Sequence, residues 1–164
     1  MKLKLIFLLL IVLPVTLLAA EKQPICSQSG FRFSHDQLVF FPKPHSVMAG
    51  LYVIKNTSHQ SLWILRAMKH NPGVSAGWAS ELAPGRSSTI LLTRRPVKFT
   101  MQCQLQEKTG RAVNVSCKKV LHACQFERYV SHKPITSSYW VAENLSYQAM
   151  MKRLHARGFA FPAK

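Results

Sequence analysis

Residues 100–118, TMQCQLQEKTGRAVNVSCK, decide the fold because they predict a disulfide-linked β-hairpin. The stretches 100–106 and 112–118 have the composition of short strands, and the polar turn 107–110 separates them. Folding the hairpin about Gly110 sets Cys103 opposite Cys117, each seven residues from the centre. Facing residues have Cβ atoms close enough to bridge, so this hairpin predicts the disulfide Cys103–Cys117.

The other two cysteines then predict a second disulfide, Cys26–Cys124, which ties down the N-terminal segment. An even number of cysteines in an exported chain is typical of disulfides formed in an oxidising compartment. A zinc site is the alternative interpretation, but no pair of cysteines has the gap of two to four residues that such sites usually show.

Strand signals recur outside the hairpin as short runs rich in β-branched and aromatic residues, separated by turn formers. They predict strands at 37–41, 50–55, 61–66, 87–93, 99–106 and 111–122. Strands of this length and spacing predict a mainly β fold, an antiparallel β-sandwich of the cupredoxin or immunoglobulin type.

One C-terminal α-helix is predicted near 144–157, since this stretch carries good helix formers and is followed by Gly158. Asn144 or Ser146 is expected to cap its start. Leu145, Ala149 or Met150, and Leu154 are expected to form its buried stripe.

The first twenty residues predict a signal peptide, because Lys2 and Lys4 precede an apolar run at 5–18 that ends in Ala19 and Ala20. The run is shorter than the roughly 20 residues that cross a bilayer, and no second long apolar segment follows it. We therefore expect an exported protein, periplasmic or secreted, with a signal peptide at 1–20, a single domain at 21–164 and no transmembrane segment after cleavage.

The chain is strongly basic, with 22 Lys and Arg against 6 Asp and Glu and a formal net charge of +16. Such a surface attracts anionic partners, namely glycans, lipid headgroups or nucleic acids. No aromatic-studded nucleic-acid motif is present, so no nucleic-acid partner is predicted. A solubilising surface is the alternative interpretation, because the cationic residues are dispersed: Arg66, Lys69, Arg86, Arg94, Arg95, Lys98, Arg111, Lys118, Lys119, Lys152, Arg153 and Arg157.

No catalytic site is predicted. The body of the chain offers few carboxylates for the paired acids of glycoside hydrolysis, and these are Asp36, Glu81, Glu107, Glu127 and Glu143. A nucleophile elbow, a phosphate-binding loop and a zinc-protease helix are all missing from the sequence. A non-enzymatic protein is the expectation.

A metal site is the one candidate for cofactor chemistry. His45 and Met48, then Met68 and His70, stand in predicted loops at the ends of two predicted strands. Imidazole and thioether groups suit Cu(I). The alternative is that the methionines fill the core and the histidines face solvent.

The aromatic residues have two interpretations. A sugar-binding or partner-binding surface is one, and core packing, which we expect for most of them, is the other; the residues are Tyr52, Trp63, Trp78, Tyr139 and Trp140. The alternation around Trp63 is poor, through Leu62, Ile64 and Leu65, which predicts burial on both faces of that strand.

The chain resembles the enhanced-entry protein B family over most of its predicted mature length. The matching stretches are FPKPH at 41–45, MAGLYVI at 48–54, SAGWAS at 75–80, LAPG at 82–85 and SYWVAE at 138–143. That family comes from intracellular Gram-negative bacteria, is exported and is named for an association with entry into host cells. The resemblance implies a periplasmic or secreted role in infection and no established biochemical activity.

A second resemblance, to copper chaperones with a cupredoxin-like sandwich, lies in the strand at 50–56 and the turn and strand at 82–92. It implies a copper site made by a His and a Met early in the chain and a His-x-Met pair later. His45 and Met48 match the early pair, but Ser87, Ser88 and Thr89 stand near the later position.

Together these observations predict an exported, disulfide-linked β-sandwich that acts as a non-enzymatic binding or envelope-associated factor in host interaction. Its expected partner is a protein or an anionic component of the envelope or host surface. A periplasmic Cu(I)-binding protein is the first alternative, and a basic binder of anionic glycans or lipids is the second.

Overall fold

The computed structural model describes residues 26–41, 49–67, 75–93, 99–107 and 109–162. The predicted signal peptide at 1–20 lies outside these ranges. The strands of the described part are β1 (Cys26–Ser27), β2 (Phe31–Ser34), β3 (Gln37–Phe40), β4 (Gly50–Asn56), β5 (Leu62–Ala67), β6 (Ser75–Leu82), β7 (Ser87–Leu92), β8 (Phe99–Gln106), β9 (Ala112–Val115), β10 (Leu121–Phe126), β11 (Val130–Ser131), β12 (Tyr139–Leu145) and β13 (Phe159–Ala160). The helices are α1 (Cys117–Val120) and α2 (Tyr147–Ala156). None of the helices in these ranges has the length and apolar character needed to cross a membrane.

Two antiparallel sheets make a β-sandwich. The first has the strand order β1-β10-β4-β7-β12, and the second has the order β2-β3-β8-β5-β6 with β9 also paired to β8. A separate two-stranded sheet pairs β11 with β13. The predicted mainly β, disulfide-linked sandwich with a C-terminal helix is confirmed.

Strand β4 is the centre of the first sheet and is buried on both faces. Tyr52 and Ile54 point into the core between the two sheets. The alternate residues Leu51 and Val53 lie in a second cluster that includes Met150 and Leu154 of α2. A strand covered by a sheet on one side and a helix on the other needs apolar residues on both faces, which explains the unbroken apolar run at 51–54.

The C-terminal helix is shorter than predicted but is capped as expected. The Ser146 hydroxyl accepts a hydrogen bond from the backbone N–H of Ala149, and Gly158 follows the helix with a φ of 90°. Of the residues predicted to form the buried stripe, Met150 and Leu154 are fully buried. Asn144 is not the cap; it belongs to β12, where its Oδ1 accepts from the N–H of Ala83.

Both predicted disulfides form, but the 100–118 hairpin does not have the predicted register. Cys103 pairs with Val115, so it does not face Cys117, and the turn is centred on Thr109 instead of Gly110. The predicted strand at 111–122 is divided into β9, α1 and β10. The reason is that β3 pairs with the other half of β8, and Cys117 donates its N–H to the carbonyl of Asp36 in the turn before β3.

The disulfides therefore form by a different geometry from the one expected. Helix α1 begins at Cys117 and brings its Cα to 5.3 Å from that of Cys103. The Cα atoms of Cys26 and Cys124 are 5.6 Å apart, where β1 pairs with β10. Both distances are ordinary for a disulfide.

The two ends of the sandwich differ in their connections. At the end that we call the hairpin end, short turns join β4 to β5 and β6 to β7. At the opposite end, the loop end, Gly50 pairs with Leu92 and Phe40 with Phe99. Residues 42–48, 68–74 and 94–98 each join two strand ends at the loop end.

Asn56 fixes the hairpin end. Its side-chain N–H groups donate to the carbonyls of Gln60 and Leu82, both at 2.7 Å, and its Oδ1 accepts from the backbone N–H and the hydroxyl of Ser58. Its backbone N–H and carbonyl pair with Arg86 and Gly85. Asn56 is fully buried, and this one side chain satisfies polar groups on both connections of the hairpin end.

Asn56→Ala is expected to lower the free energy of unfolding by about 2–4 kcal/mol, because it leaves several buried donors and acceptors without partners at once. Urea unfolding followed by circular dichroism measures the change. Asn114→Ala is the matched control: Asn114 is exposed and makes one side-chain bond, to Gln104. That variant should stay within about 0.5 kcal/mol of the parent, and equal losses in the two variants would contradict the role assigned to Asn56.

Candidate anion-binding groove at the loop end

The four predicted metal ligands lie outside the described residues. His45 and Met48 belong to 42–48, and Met68 and His70 to 68–74. The described strand ends beside these segments all lie at the loop end. The part of the chain that the structure describes holds no group of three or more His, Cys, Asp or Glu side chains that could bind a metal. Copper binding by these four residues stays a prediction.

The later ligand pair of the copper chaperones has no counterpart here. Ser87, Ser88 and Thr89 lie in β7 and are between 0 and 2% exposed. The Ser88 hydroxyl accepts from the backbone N–H of Asn144 and lies 3.4 Å from that of Ser80. These side chains are built into the packing of the sandwich, so the copper site that the second resemblance implies does not fit this strand.

Most of the aromatic candidates pack inside the sandwich, as expected. The Trp78 ring centroid lies 5.3 Å from that of Phe99 and 5.9 Å from that of Trp140. Tyr52 is 1% exposed and packs against Phe40, with ring centroids 4.7 Å apart. These rings contribute apolar burial and aromatic contacts to the core.

Trp63 is the exception, and the prediction of burial on both faces of its strand was wrong. Leu62 and Ile64 are fully buried between the sheets, whereas Trp63 points outward and is 36% exposed. Leu65, on the same outward face, is half-buried. Among the described residues, α2 packs on the outer face of the first sheet, and the outward face of β5 belongs to the second sheet, so the indole stays accessible.

A groove of about 500 Å³ opens at the loop end, beside the first residue after 42–48. It is formed by the segment 129–135, which follows β10 and includes β11, and by the residue directly before β4. Its lining residues are Ala49, Tyr129, Val130, Ser131, His132, Lys133, Pro134 and Ile135. The Tyr129 hydroxyl donates a hydrogen bond to the Ala49 carbonyl and so joins the two walls.

The groove is anchored to the C-terminal end of helix α2. Val130 and Ser131 pair with Ala160 and Phe159, and the N–H of His132 donates to the carbonyl of Gly158 at 2.9 Å. The Ser131 hydroxyl donates to the Lys133 carbonyl at 2.9 Å and fixes the turn. The backbone of the groove is therefore held by regular hydrogen bonds, which is the arrangement that positions binding residues precisely.

Cationic and apolar groups meet at this groove. His132 and Lys133 line it and are exposed, and Val130 beside them is 49% exposed. Arg128 is two residues before Val130 and also exposed. Arg157 precedes Gly158, whose position lies within van der Waals reach of His132 and Lys133. Such a site can attract an anionic group and cover an adjoining apolar one.

The charges of the chain are arranged unevenly between the two ends. Glu81 and Glu107 lie at the hairpin end, next to the ends of β6 and β8. By sequence, the segments 42–48, 68–74 and 94–98, which lie outside the described residues, hold no Asp or Glu and five cations, Lys43, Lys69, Arg94, Arg95 and Lys98. Among the described residues, Arg128 and its exposed neighbour Glu127 both follow β10 beside the groove.

Two further arginines at the loop end are held over aromatic rings. The Arg66 Cζ atom lies 5.0 Å from the centroid of the Phe99 ring, and the Arg32 Cζ atom lies 4.7 Å from that of Phe41. Stacking on a ring keeps a guanidinium in place while its charge remains available. These contacts extend the cationic character of the loop end beyond the groove.

Comparison of the chain with protein-family models, with curated proteins and with solved structures gives no match. The resemblances stated from the sequence therefore stay predictions.

Sequence reasoning missed this groove. The cations Arg128 and Lys133, together with His132, surround an apolar Val130 and precede Pro134, which is a local cluster of polar residues in a stretch without strand or helix periodicity. That cluster was the available signal. Its partners, Ala49 and the residues after α2, are too far away in sequence to be linked to it by any local pattern.

The burial of Tyr52 predicts how the stability of the fold depends on alkaline pH. Burial raises the pKa of its phenol from 10.0 to about 12, and its hydroxyl donates to the carbonyl of Gly30 at 3.3 Å. The folded state favours the neutral phenol. The contribution of Tyr52 to the free energy of unfolding is therefore fully present below pH 10 and is lost as the pH rises through about 12.

Ultraviolet titration of the phenolate band is expected to show a late component, near pH 12 or together with unfolding, that Tyr52→Phe removes. A titration curve that Tyr52→Phe changes only near pH 10, with the far-ultraviolet circular dichroism intact, would contradict the burial of this phenol.

Proposed function

We propose that this protein is an exported, non-enzymatic binding protein whose loop-end groove attaches it to anionic lipid headgroups on an envelope or host-cell membrane. The observation that carries the proposal is the groove itself, where His132 and Lys133 stand beside exposed Val130. Phosphate groups of lipids pair with cations, and the acyl region below them accepts an exposed apolar side chain.

The position of the groove supports attachment to a surface. It opens at the end of the sandwich where the strands bordering 42–48, 68–74 and 94–98 begin or end, and by sequence these three segments hold five cations and no acid. Arg128 and Arg157 add charge beside it and are both exposed. A membrane is an extended array of negative charges, so it can contact many of these cations at once, whereas a small anion contacts few.

The compartment and the biological setting of the proposal come from other observations. Two disulfides tie the chain together, and such bonds persist in oxidising compartments. The apolar segment at 5–18 adds the export signal. The resemblance to the enhanced-entry protein B family extends the proposal to host-cell entry or intracellular infection.

Binding to vesicles tests the proposal. The disulfide-intact protein is expected to sediment with vesicles of phosphatidylglycerol and phosphatidylcholine and not with phosphatidylcholine alone. Removing two cations with Arg128→Gln and Lys133→Gln should weaken binding about 30-fold, since each cation near an anionic surface contributes about 1 kcal/mol. Binding should also weaken steeply with salt.

The control removes the same charge elsewhere. Lys118→Gln and Lys119→Gln lie in α1, on exposed positions away from the groove, and should change binding by less than about threefold. Equal losses in the two double variants would show that binding depends on the overall charge and not on the groove, and would contradict the proposal. Binding to heparin without binding to these vesicles would also contradict the proposal.

A Cu(I) carrier is the second candidate function. It is favoured by one observation: the strand ends that border 42–48 and 68–74 lie at the same end of the sandwich, so the segments with His45, Met48, Met68 and His70 leave from one place. Imidazole and thioether groups are the ligands that Cu(I) prefers.

Titration of the disulfide-intact protein with Cu(I) against a competing chelator tests this candidate. A copper carrier is expected to bind one ion tightly and to lose it in the double variant His45→Ala, Met48→Ala. The control is His59→Ala with Met151→Ala, which removes the same two kinds of side chain from the hairpin end and from α2. An absence of tight binding, or equal loss in both variants, would reject copper carriage.

A further inference from the structure

A second surface lies on the outer face of the second sheet and differs from the groove in its charge and side chains. Trp63 of β5 is paired with Glu81 of β6 on one side and with Gln104 of β8 on the other. Gln104 is paired in turn with Asn114 of β9. Neighbouring residues across strands lie about 4.5–5.5 Å apart, so an exposed indole stands in a continuous row of one carboxylate and two amides.

The polar groups of this row are partly fixed and partly available. The Gln104 Nε2 donates to the Asn114 Oδ1 at 2.9 Å, and this bond orients both amides. The Oε1 of Gln104 and the Nδ2 of Asn114 remain as an acceptor and a donor on the exposed face. Fixed amide dipoles beside an aromatic ring favour a ligand with many hydroxyl groups.

A concavity of about 720 Å³ at the hairpin end is lined in part by Glu81, the cross-strand neighbour of Trp63. It shares Glu81 with the row described above, and its lining residues are Gln60, Ser61, Glu81, Gln106 and Glu107. Its volume is within the range of about 300–1,000 Å³ that is typical of small-molecule sites. The lining side chains are all short-range hydrogen-bonding groups, two of them carboxylates.

Charge sets this surface apart from the rest of the molecule. The chain has 22 Lys and Arg residues against 6 acids, yet the described residues that line this concavity include two of those acids and neither Lys nor Arg. Carboxylates repel an anionic ligand at short range, while they accept hydrogen bonds from uncharged hydroxyl groups.

We infer that Trp63, the Gln104–Asn114 pair and the adjoining concavity form a binding site for the pyranose rings of an uncharged glycan. The C–H face of a pyranose stacks on the exposed indole, whose apolar area supplies most of the contact. The Glu81 and Glu107 carboxylates accept hydrogen bonds from sugar hydroxyl groups, and the amides of the row donate and accept at the ring edge. This site is separate from the loop-end groove, and it stands whether or not the groove binds lipid.

Titration of the disulfide-intact protein with cellohexaose and with N-acetylated chitohexaose tests the inference. At least one of these uncharged pyranose chains is expected to bind and to change the tryptophan fluorescence. Binding should be the same at low salt and at about 1 M salt, where the Debye length is only about 3 Å. An oligogalacturonate of the same length should bind this site more weakly than the uncharged chains, since it carries carboxylates to a site that holds two.

Trp63→Ala should weaken glycan binding at least tenfold, as the loss of a central aromatic contact does. Its thermal unfolding checks that the sandwich is intact. Gln104→Ala gives an independent reading, because it removes the amide pair and keeps the indole, and a loss of about threefold to tenfold is expected. Val130→Ala, at the other exposed large apolar residue in the described part, is the matched control and should leave glycan binding unchanged.

Three results would overturn the inference: no binding of either uncharged glycan, binding that survives in the folded Trp63→Ala variant, or binding that weakens with salt as the vesicle interaction does. None of these bears on the lipid proposal, since that interaction is measured with vesicles and depends on Arg128 and Lys133.

Discussion

The fold depends on one buried asparagine more than on any other polar residue. Asn56 uses every donor and acceptor of its side chain at the hairpin end, and its backbone joins the turn between β6 and β7. Burying an amide costs free energy unless each of its hydrogen bonds is made. The Asn56 side chain therefore specifies where the chain turns between β4 and β5 and between β6 and β7. The loop end is then free to carry longer connections, which is where binding residues are commonly found.

Burial of β4 on both faces links this fold to the candidate groove. Tyr52 occupies the inner face, where a side chain on Gly50 would overlap its ring, and its hydroxyl reaches the Gly30 carbonyl. On the other face, Leu51 and Val53 pack in the cluster that holds helix α2. The helix ends at the loop end, and the residues after it pair with Val130 and Ser131. The groove is thus a consequence of covering the outer face of the first sheet.

Much of the sandwich could be predicted from the sequence because strands with one buried face leave a readable pattern. Predictions from local sequence patterns were wrong where contact with a segment distant in sequence determined the strand register or the burial of a side chain. Cys103 and Cys117 were paired correctly from the wrong register, since β3 competes for the edge of β8 and forces the chain to leave it after Val115. Trp63 was misjudged for a similar reason: whether an apolar residue on an outer face is covered depends on which sheet receives the helix. The groove at 129–135 has no periodicity, so its location could not be derived.

The two candidate surfaces differ in the force that would dominate binding, and this follows from where the charges lie. At the loop end, Lys133 and Arg157 would attract a partner of opposite sign, so screening by salt would weaken the interaction. On the outer face of the second sheet, contact with the Trp63 indole and hydrogen bonds to fixed amides are short-ranged, and salt has little effect on them. The net charge of +16 therefore says little about the surroundings of the exposed tryptophan. If both proposals hold, a membrane and a glycan would bind different faces of the sandwich and would not compete.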